Sequence, residues 1–248
     1  MKKIILLLNV VALAFISCNN DDTTTPVISN DSGSVFLKKT IVTEGSNVIT
    51  TNYIYNGNKL VTIKDDDGYT ATFTYIGNLI TSSEETNANS IFDSYDTYEY
   101  DSSARLILFK RFQGGMGGAE FVRESYVYNA DGTATITDIG GNTGQLFFLN
   151  GEIIKVVKSA GIIRNYTYDS KNNPFKNITG VNKLNYNEGD LSFTEGISKN
   201  VLTKTNTLNA DNYNYQYVYN ALNFPTTCTV TYNQNGSAGT ETIKYFYE

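Results

Sequence analysis

One short phrase constrains this chain more than anything else in it: an aromatic residue, a spacer, a second aromatic residue, then Asn or Asp. It stands as Tyr53-x-Tyr55-Asn, Phe73-x-Tyr75, Tyr98-x-Tyr100-Asp, Tyr126-x-Tyr128-Asn, Tyr166-x-Tyr168-Asp, Tyr217-x-Tyr219-Asn and Tyr245-x-Tyr247. Looser copies are Phe147-x-Leu149-Asn and Leu184-x-Tyr186-Asn, and the mean step from Tyr53 to Tyr245 is 24 residues. Residues i and i+2 of a strand share a face, so each phrase sets two rings side by side. Asn56-Gly57, Gly77-Asn78, Asp131-Gly132, Asn150-Gly151 and Asn235-Gly236 supply residues that tolerate the positive φ of tight hairpins.

Behind the turns come aliphatic runs such as KLVTIK, RLILFKRF, ATITDI and EIIKVVK. The unit is therefore aromatic strand, turn, aliphatic strand, turn. Repeated along the chain it predicts roughly sixteen to eighteen strands, more than an open twisted sheet holds flat. The expectation is an all-β fold: a large antiparallel β-meander of hairpin repeats, strongly twisted and curled as a single sheet or an open barrel-like shell.

Composition removes several kinds of chemistry. The chain has 248 residues with no His and no Trp. Without imidazole there is no Ser-His-Asp or Cys-His relay and no zinc site that needs a histidine. Lys and Arg number 19 against 25 Asp and Glu, with no clustered basic run, which excludes nucleic acid as an expected partner. No metal and no cofactor is expected. Of the two cysteines, Cys228 lies in the alternating stretch PTTCTVTY and reads as a small buried hydrophobe.

The other cysteine belongs to the N-terminus. MKKIILLLNVVALAFISCNNDD joins two lysines to an apolar run from Ile4 to Ile16, too short to span about 30 Å of hydrocarbon. The ending FISC resembles the lipobox of bacterial lipoproteins, with Phe15 where Leu is usual. The resemblance implies a signal peptide over 1–17, lipidation at Cys18 and a membrane partner engaged through the lipid anchor. Residues 18–34 are polar and read as a tether, and 35–248 as the β domain. Asp21 and Asp22 resemble the acidic surface-export signal of Bacteroidota lipoproteins, and Asp22-Thr23-Thr24 resembles that group's O-glycosylation site. An outer-membrane, lipid-anchored and surface-exposed location follows, with the periplasmic face as the alternative.

YEYDSSARLILFKRF, Tyr98 to Phe112, resembles the YD repeat of Rhs-like proteins, with Ala104 where Gly is usual. YTYDSKNNPFKNITG and YVYNALNFPTTCTV are looser copies. The likeness covers most of 53–248 and is similar to small surface lipoproteins of the Bacteroidota built from such repeats. Their activity is not established, so the resemblance implies no catalytic residues.

Several stretches carry alternative readings. Asp65, Asp66 and Asp67 before Gly68 offer oxygens for a hard cation but lack the alternation of a calcium loop, and read as a hairpin turn. QGGMGGAE, 113–120, has no helix start or adjacent Lys and reads as a hairpin tip. FTEGISKNVLTKTN, in the one place where the repeat loses phase, is either a short helix capped by Thr194 or a degenerate hairpin. Glu84, Glu85, Glu188, Asp190 and Glu195 are the carboxylates from which a glycosidase pair would be drawn, though no spacing selects one. The tyrosines are mostly structural, with Tyr126, Tyr128, Tyr217 and Tyr219 as the candidates for facing a ligand. The reading is a lipid-anchored, non-enzymatic binding, adhesion or scaffold module, with a glycan or an envelope protein as partner. The alternative is a carboxylate-dependent glycoside hydrolase or a glycan-binding lipoprotein.

Overall fold

A computed structural model describes residues 34–88, 94–184, 196–208 and 210–248. Sixteen described strands run up and down in chain order. They are β1 (Leu37–Glu44), β2 (Asn47–Asn56), β3 (Lys59–Asp65), β4 (Thr70–Ile76), β5 (Leu79–Thr86), β6 (Ser94–Tyr100), β7 (Leu106–Gln113) and β8 (Ala119–Tyr128). There follow β9 (Ala134–Asp138), β10 (Thr143–Leu149), β11 (Glu152–Val157), β12 (Ile163–Tyr168), β13 (Val201–Asn206), β14 (Asp211–Tyr219), β15 (Pro225–Gln234) and β16 (Ser237–Tyr247). Each strand pairs antiparallel with the next, and β1 pairs with β16, so the sheet closes into a barrel. Closure leaves no edge strand, which meets the need of a curled meander to hide its unpaired N–H and C=O groups.

The aromatic phrases occupy the even strands and point inward. Tyr53, Phe73, Tyr98, Tyr126 and Tyr166 belong to one buried core with Leu60, Ile80, Leu106, Phe109 and Val156 of the odd strands. In β10 the inward pair is Leu146 and Phe148, one residue before the expected Phe147 and Leu149. The reason is the turn: Asn150 and Gly151 both take positive φ and form the two-residue loop, so Leu149 opposite Glu152 holds the place that Asn56 holds opposite Lys59. In the β2–β3 hairpin only Gly57 has positive φ, and the loop is Gly57-Asn58 rather than Asn56-Gly57.

A second regularity was invisible in sequence. In β1, β3, β5, β7, β11, β13 and β15 the register slips immediately after the first inward residue, skipping Lys38, Val61, Thr81, Ile107, Ile154, Leu202 and Thr226. Beyond these bulges the ladder to the following even strand stops, leaving a backbone carbonyl without a ladder partner. At five of the seven slips the second tyrosine of the next phrase fills the gap, whereas after β13 Tyr219 bonds Asp169 instead. Tyr55 donates to Leu37 O at 2.6 Å, Tyr100 to Ile80 O at 2.7 Å, Tyr128 to Leu106 O at 3.0 Å, Tyr168 to Ile153 O at 2.7 Å and Tyr247 to Pro225 O at 2.8 Å. Strand β9 has no such slip, its Ala134 stays in the ladder opposite Leu146, and the next phrase ends in Phe148, which has no hydroxyl.

The phase break is a plug. Between β12 and β13 the chain leaves the wall and lays Phe175, Ile178, Val181 and Leu184 against the core at the end where the aromatic phrases terminate. Thr179 N donates to Asn58 O at 2.9 Å and Asn177 Nδ2 to Val35 O at 2.8 Å, tying the segment across the barrel end. Gly180, at φ +86°, passes so close to β5 that a Cβ would lie 2.9 Å from Asn78 O. Leu184, expected in a degenerate strand, ends a 3-10 turn here, while Tyr186 and Thr194 lie outside the described residues. Val201–Asn206, within the stretch considered for a helix, is strand β13. Glu152 fastens the returning chain by accepting from Ile197 N, Ser198 N, Ser198 Oγ and Lys199 N at 2.7–2.9 Å.

The outer wall is mixed: polar residues cover long stretches of it, while Ile54, Ile76, Val127, Val218 and Phe246 stand exposed on it toward the plug end. Outward positions alternate with the core as Thr70, Thr72 and Thr74 on β4, Asn165 and Thr167 on β12, and Asn212, Asn214 and Gln216 on β14. A lipid-facing barrel shows an apolar outer band and a polar lumen. Here an apolar core lies inside, and the outward positions mix polar residues with a few exposed apolar ones. No helix among the described residues is long and apolar enough to cross a membrane.

Candidate functional site: the open mouth

Opposite the plug, the inward strand positions divide into a charged group, an aromatic row and the aliphatic positions between them. On the β5 to β8 side they carry Glu85, Asp96, Arg111 and Glu124, all buried. The strand period places them, because each sits an even number of residues from a core side chain: Asp96 two before Tyr98, Arg111 two after Phe109, Glu124 two before Tyr126. Arg111 spans the group, with Nε 2.7 Å from Asp96 Oδ1, one terminal nitrogen 2.8 Å from Asp96 Oδ2 and 2.9 Å from Glu85 Oε1. This planar fork is the geometry in which arginine best compensates buried carboxylates. Tyr98 adds a 3.4 Å bond to Asp96, and burial raises its phenol well above the ordinary range.

Glu124 is 2% exposed. Burial pushes its carboxyl up to about 7 against the opposing pull of a 2.7 Å bond from Tyr126 and the charges of Lys158 and Arg164. Lys158 Nζ stands 3.9 Å away, its own pKa lowered by burial. Glu124, Asp138, Asn142, Lys158 and Ser159 line a cleft of about 30 Å³. Such a space holds about two water molecules.

The other side of the mouth is aromatic. Strand β14 turns Tyr213, Tyr215, Tyr217 and Tyr219 inward in succession, all half-buried. Tyr215 and Tyr217 lie nearly parallel at 9° with centroids 6.4 Å apart, and Tyr213 stacks on Tyr232 of β15 at 5.8 Å. Tyr232 hydrogen-bonds Glu44, and Lys204 Nζ lies 5.2 Å from the centroid of Tyr213. Opposite Tyr232 sits Gly239, where a Cβ would fall 2.2 Å from the phenol ring, so only glycine lets that ring lie across the strand.

The sequence-level candidates fall as follows. Tyr126 is buried with its hydroxyl on Glu124, and Tyr128 is half-buried on Leu106 O. Tyr217 stands in the aromatic wall, while Tyr219 at its plug end bonds Asp169. Glu84 and Glu85, adjacent in sequence, take opposite faces: the first is exposed, the second is held by Arg111. Glu188, Asp190, Glu195 and Cys18 lie outside the described residues. Asp66 accepts from Thr50 N and Asp67 from Tyr69 N, which makes KDDDGY a turn, and no metal-holding group occurs among the described residues. Within QGGMGGAE, residues 114–118 form the tip, between Gln113 at the end of β7 and Ala119 at the start of β8. Cys228 is buried and unpaired by disulfide, its thiol pushed by burial up to about 12, out of reach of physiological ionisation. Sequence reasoning missed Tyr213, Tyr215 and Tyr232. The strict alternation in DNYNYQYVY was the signal for the first two.

No family model matches the chain, and no curated protein matches it. Among solved structures it is similar to a porin-like protein from Bacteroides uniformis at 15% identity, covering 85% of this chain and 82% of the other, with a TM-score of 0.40. It is also similar to a porin-like protein from Bacteroides vulgatus at 13% identity, covering 87% of this chain and 99% of the other, with a TM-score of 0.45. Scores of this size carry no mechanism from one protein to the other.

Proposed function

We propose that this chain is a lipid-anchored cell-envelope protein that works without catalysis, holding a water-exposed barrel at the outer membrane and offering its open mouth to a binding partner. The observation that carries the reading is the polarity of the barrel. Threonine, asparagine and glutamine hold long stretches of the outer wall, interrupted by a few apolar residues such as Val127 and Val218. A contiguous apolar core and the plug fill the lumen behind the mouth, so the wall tolerates water and the lumen does not suit a channel. Attachment then falls to the lipid at Cys18, because two or three acyl chains at about 0.8 kcal/mol per buried CH₂ hold a protein of any surface polarity. The plug closes the end from which residue 34 departs, which leaves the opposite mouth for recognition.

Membrane fractionation of Cys18→Ser tests it. The parent is expected in the membrane fraction and released only by detergent, and the variant unlipidated, whether exported free or retained as precursor. Mass spectrometry of the mature N-terminus checks the acylation. A Cys18→Ser protein with its signal peptide removed that still needs detergent for extraction would mean that the barrel itself sits in lipid, and would overturn the reading.

A further inference from the structure

The two inner walls of the barrel differ in how far water reaches. Six even strands shut away the first inward residue of their phrase: Tyr53, Phe73, Tyr98, Tyr126, Leu146 and Tyr166 are 1–6% exposed. Tyr217 and Tyr245 hold the same position on β14 and β16 and are only half-buried. The contrast continues toward the mouth. Ala71, Asp96, Glu124 and Ile136 are buried on their side, whereas Val42, Ile49, Tyr215 and Ile243 face inward and remain half-buried on the other. Register aligns Ile49, Val42, Ile243, Cys228 and Tyr217 in one row across β2, β1, β16, β15 and β14. On β15 the inward Cys228 and Val230 stay buried between these strands, so the open part of this wall is its mouth end, where Tyr213, Tyr215 and Tyr232 stand half-buried.

Its chemistry selects an occupant. Tyrosines at i, i+2 and i+4 of one strand stand about 6.8 Å apart, a linear row of rings rather than a compact cage. Glu44 and Glu241 stand beside the row, so an anionic ligand meets repulsion at the rim. A cation meets Lys204 already over the face of Tyr213. A hydrocarbon would strand the phenol hydroxyls and carboxylates without partners. A chain of neutral sugar rings satisfies both kinds of group, its C–H faces against the aromatic rings and its hydroxyls toward the phenols and carboxylates. Gly239 gives the wall a feature no packing of the core requires, since its missing side chain is what lets Tyr232 extend the row.

We propose that Tyr213, Tyr215, Tyr217 and Tyr232 form a binding surface for a neutral oligosaccharide that enters through the open mouth. This rests on the non-enzymatic binding reading above and names its ligand class. Isothermal titration of the full lipoprotein in detergent is run with maltohexaose, cellohexaose, xylohexaose and N-acetylchitohexaose, with tetragalacturonate as the anionic probe. At least one neutral hexasaccharide is expected to bind and tetragalacturonate is not. Tyr215→Ala and Tyr232→Ala should each weaken binding tenfold or more, and Tyr95→Ala on the outer wall should change it less than twofold. Hydroxyl-radical footprinting of the unmutated protein guards against variants that fail to fold: the bound sugar should protect Tyr213 to Tyr217. Absence of binding by all four neutral sugars, equal binding of the anionic one, or protection confined to other segments would overturn the proposal. Fractionation of Cys18→Ser reads the anchor alone, so its result stands whichever way the sugar titrations fall.

Discussion

Tyr55 Oη donates a 2.6 Å hydrogen bond to the backbone carbonyl of Leu37, the residue just before the bulge in β1. That bond gives the second tyrosine of five of the phrases a job distinct from the first. The first ring fills the core. The second bridges to an acceptor that the ladder has abandoned, and it recurs at Tyr100, Tyr128, Tyr168 and Tyr247. Burial raises the phenols of Tyr55, Tyr100 and Tyr247 far above the ordinary range, so they remain donors at any physiological pH.

Removing the hydroxyl while keeping the ring should isolate that job. Tyr55→Phe and Tyr100→Phe are each expected to cost about 1–2 kcal/mol, the cost of leaving a sheltered carbonyl unbonded. Phe148→Tyr should gain nothing, because Ala134 is already paired in the ladder. Urea melts of the three variants against the parent check the pattern, and a Phe148→Tyr gain equal to the Tyr55→Phe loss would refute it.

Ala104 occupies the left-handed region at φ +57° in the loop between β6 and β7, where Asp101 N reaches Arg105 O and Ala104 N reaches Asp101 O. A Cβ there costs about 1 kcal/mol. Ala104→Gly should therefore raise the urea midpoint by about that amount without changing the m-value, despite the greater freedom of glycine in the unfolded chain.

Arg111 compensates two buried carboxylates at once, and replacing it with Met should cost about 3–5 kcal/mol by leaving Glu85 and Asp96 facing each other. The triple variant Glu85→Gln, Asp96→Asn, Arg111→Met should recover much of the loss. A triple variant no more stable than Arg111→Met alone would mean that the arginine acts through packing and not charge.

Glu124 makes stability depend on pH with a defined sign. Its folded pKa, about 7, lies above that of an unfolded glutamate, so the folded state holds the proton more tightly. The group's contribution is fully present below about pH 4.5 and is lost as pH rises through 7, by about 3–4 kcal/mol at about 1.4 kcal/mol per unit. Glu124→Gln keeps an acceptor for Tyr126 and removes the titration. The stability of the variant relative to the parent should rise between pH 5 and 8, read from melts across that range, and a pH-independent difference would refute the assignment.

The β-rich class, the hairpin unit and the approximate strand number were legible in the sequence because side-chain alternation and turn chemistry are local: a residue such as Tyr98 or Gly57 carries its preference wherever it stands. Closure, the plug, the bulges and the division of the interior were not. Whether β1 meets β16 depends on twist summed over the whole sheet. The β12–β13 connection reads as a decayed repeat until Ile178 and Val181 are seen against the core. Tyr55 and Tyr100 look like any core tyrosine until Leu37 O and Ile80 O are seen without ladder partners. The buried charges of Arg111, Asp96 and Glu85 come from three strands, and their compensation exists only once the register brings them together. Tyr126 and Tyr217 belong to the same phrase and differ only in the wall that each faces across the barrel. Alternation fixes which face a side chain takes, but what lies opposite that face is a property of the closed sheet.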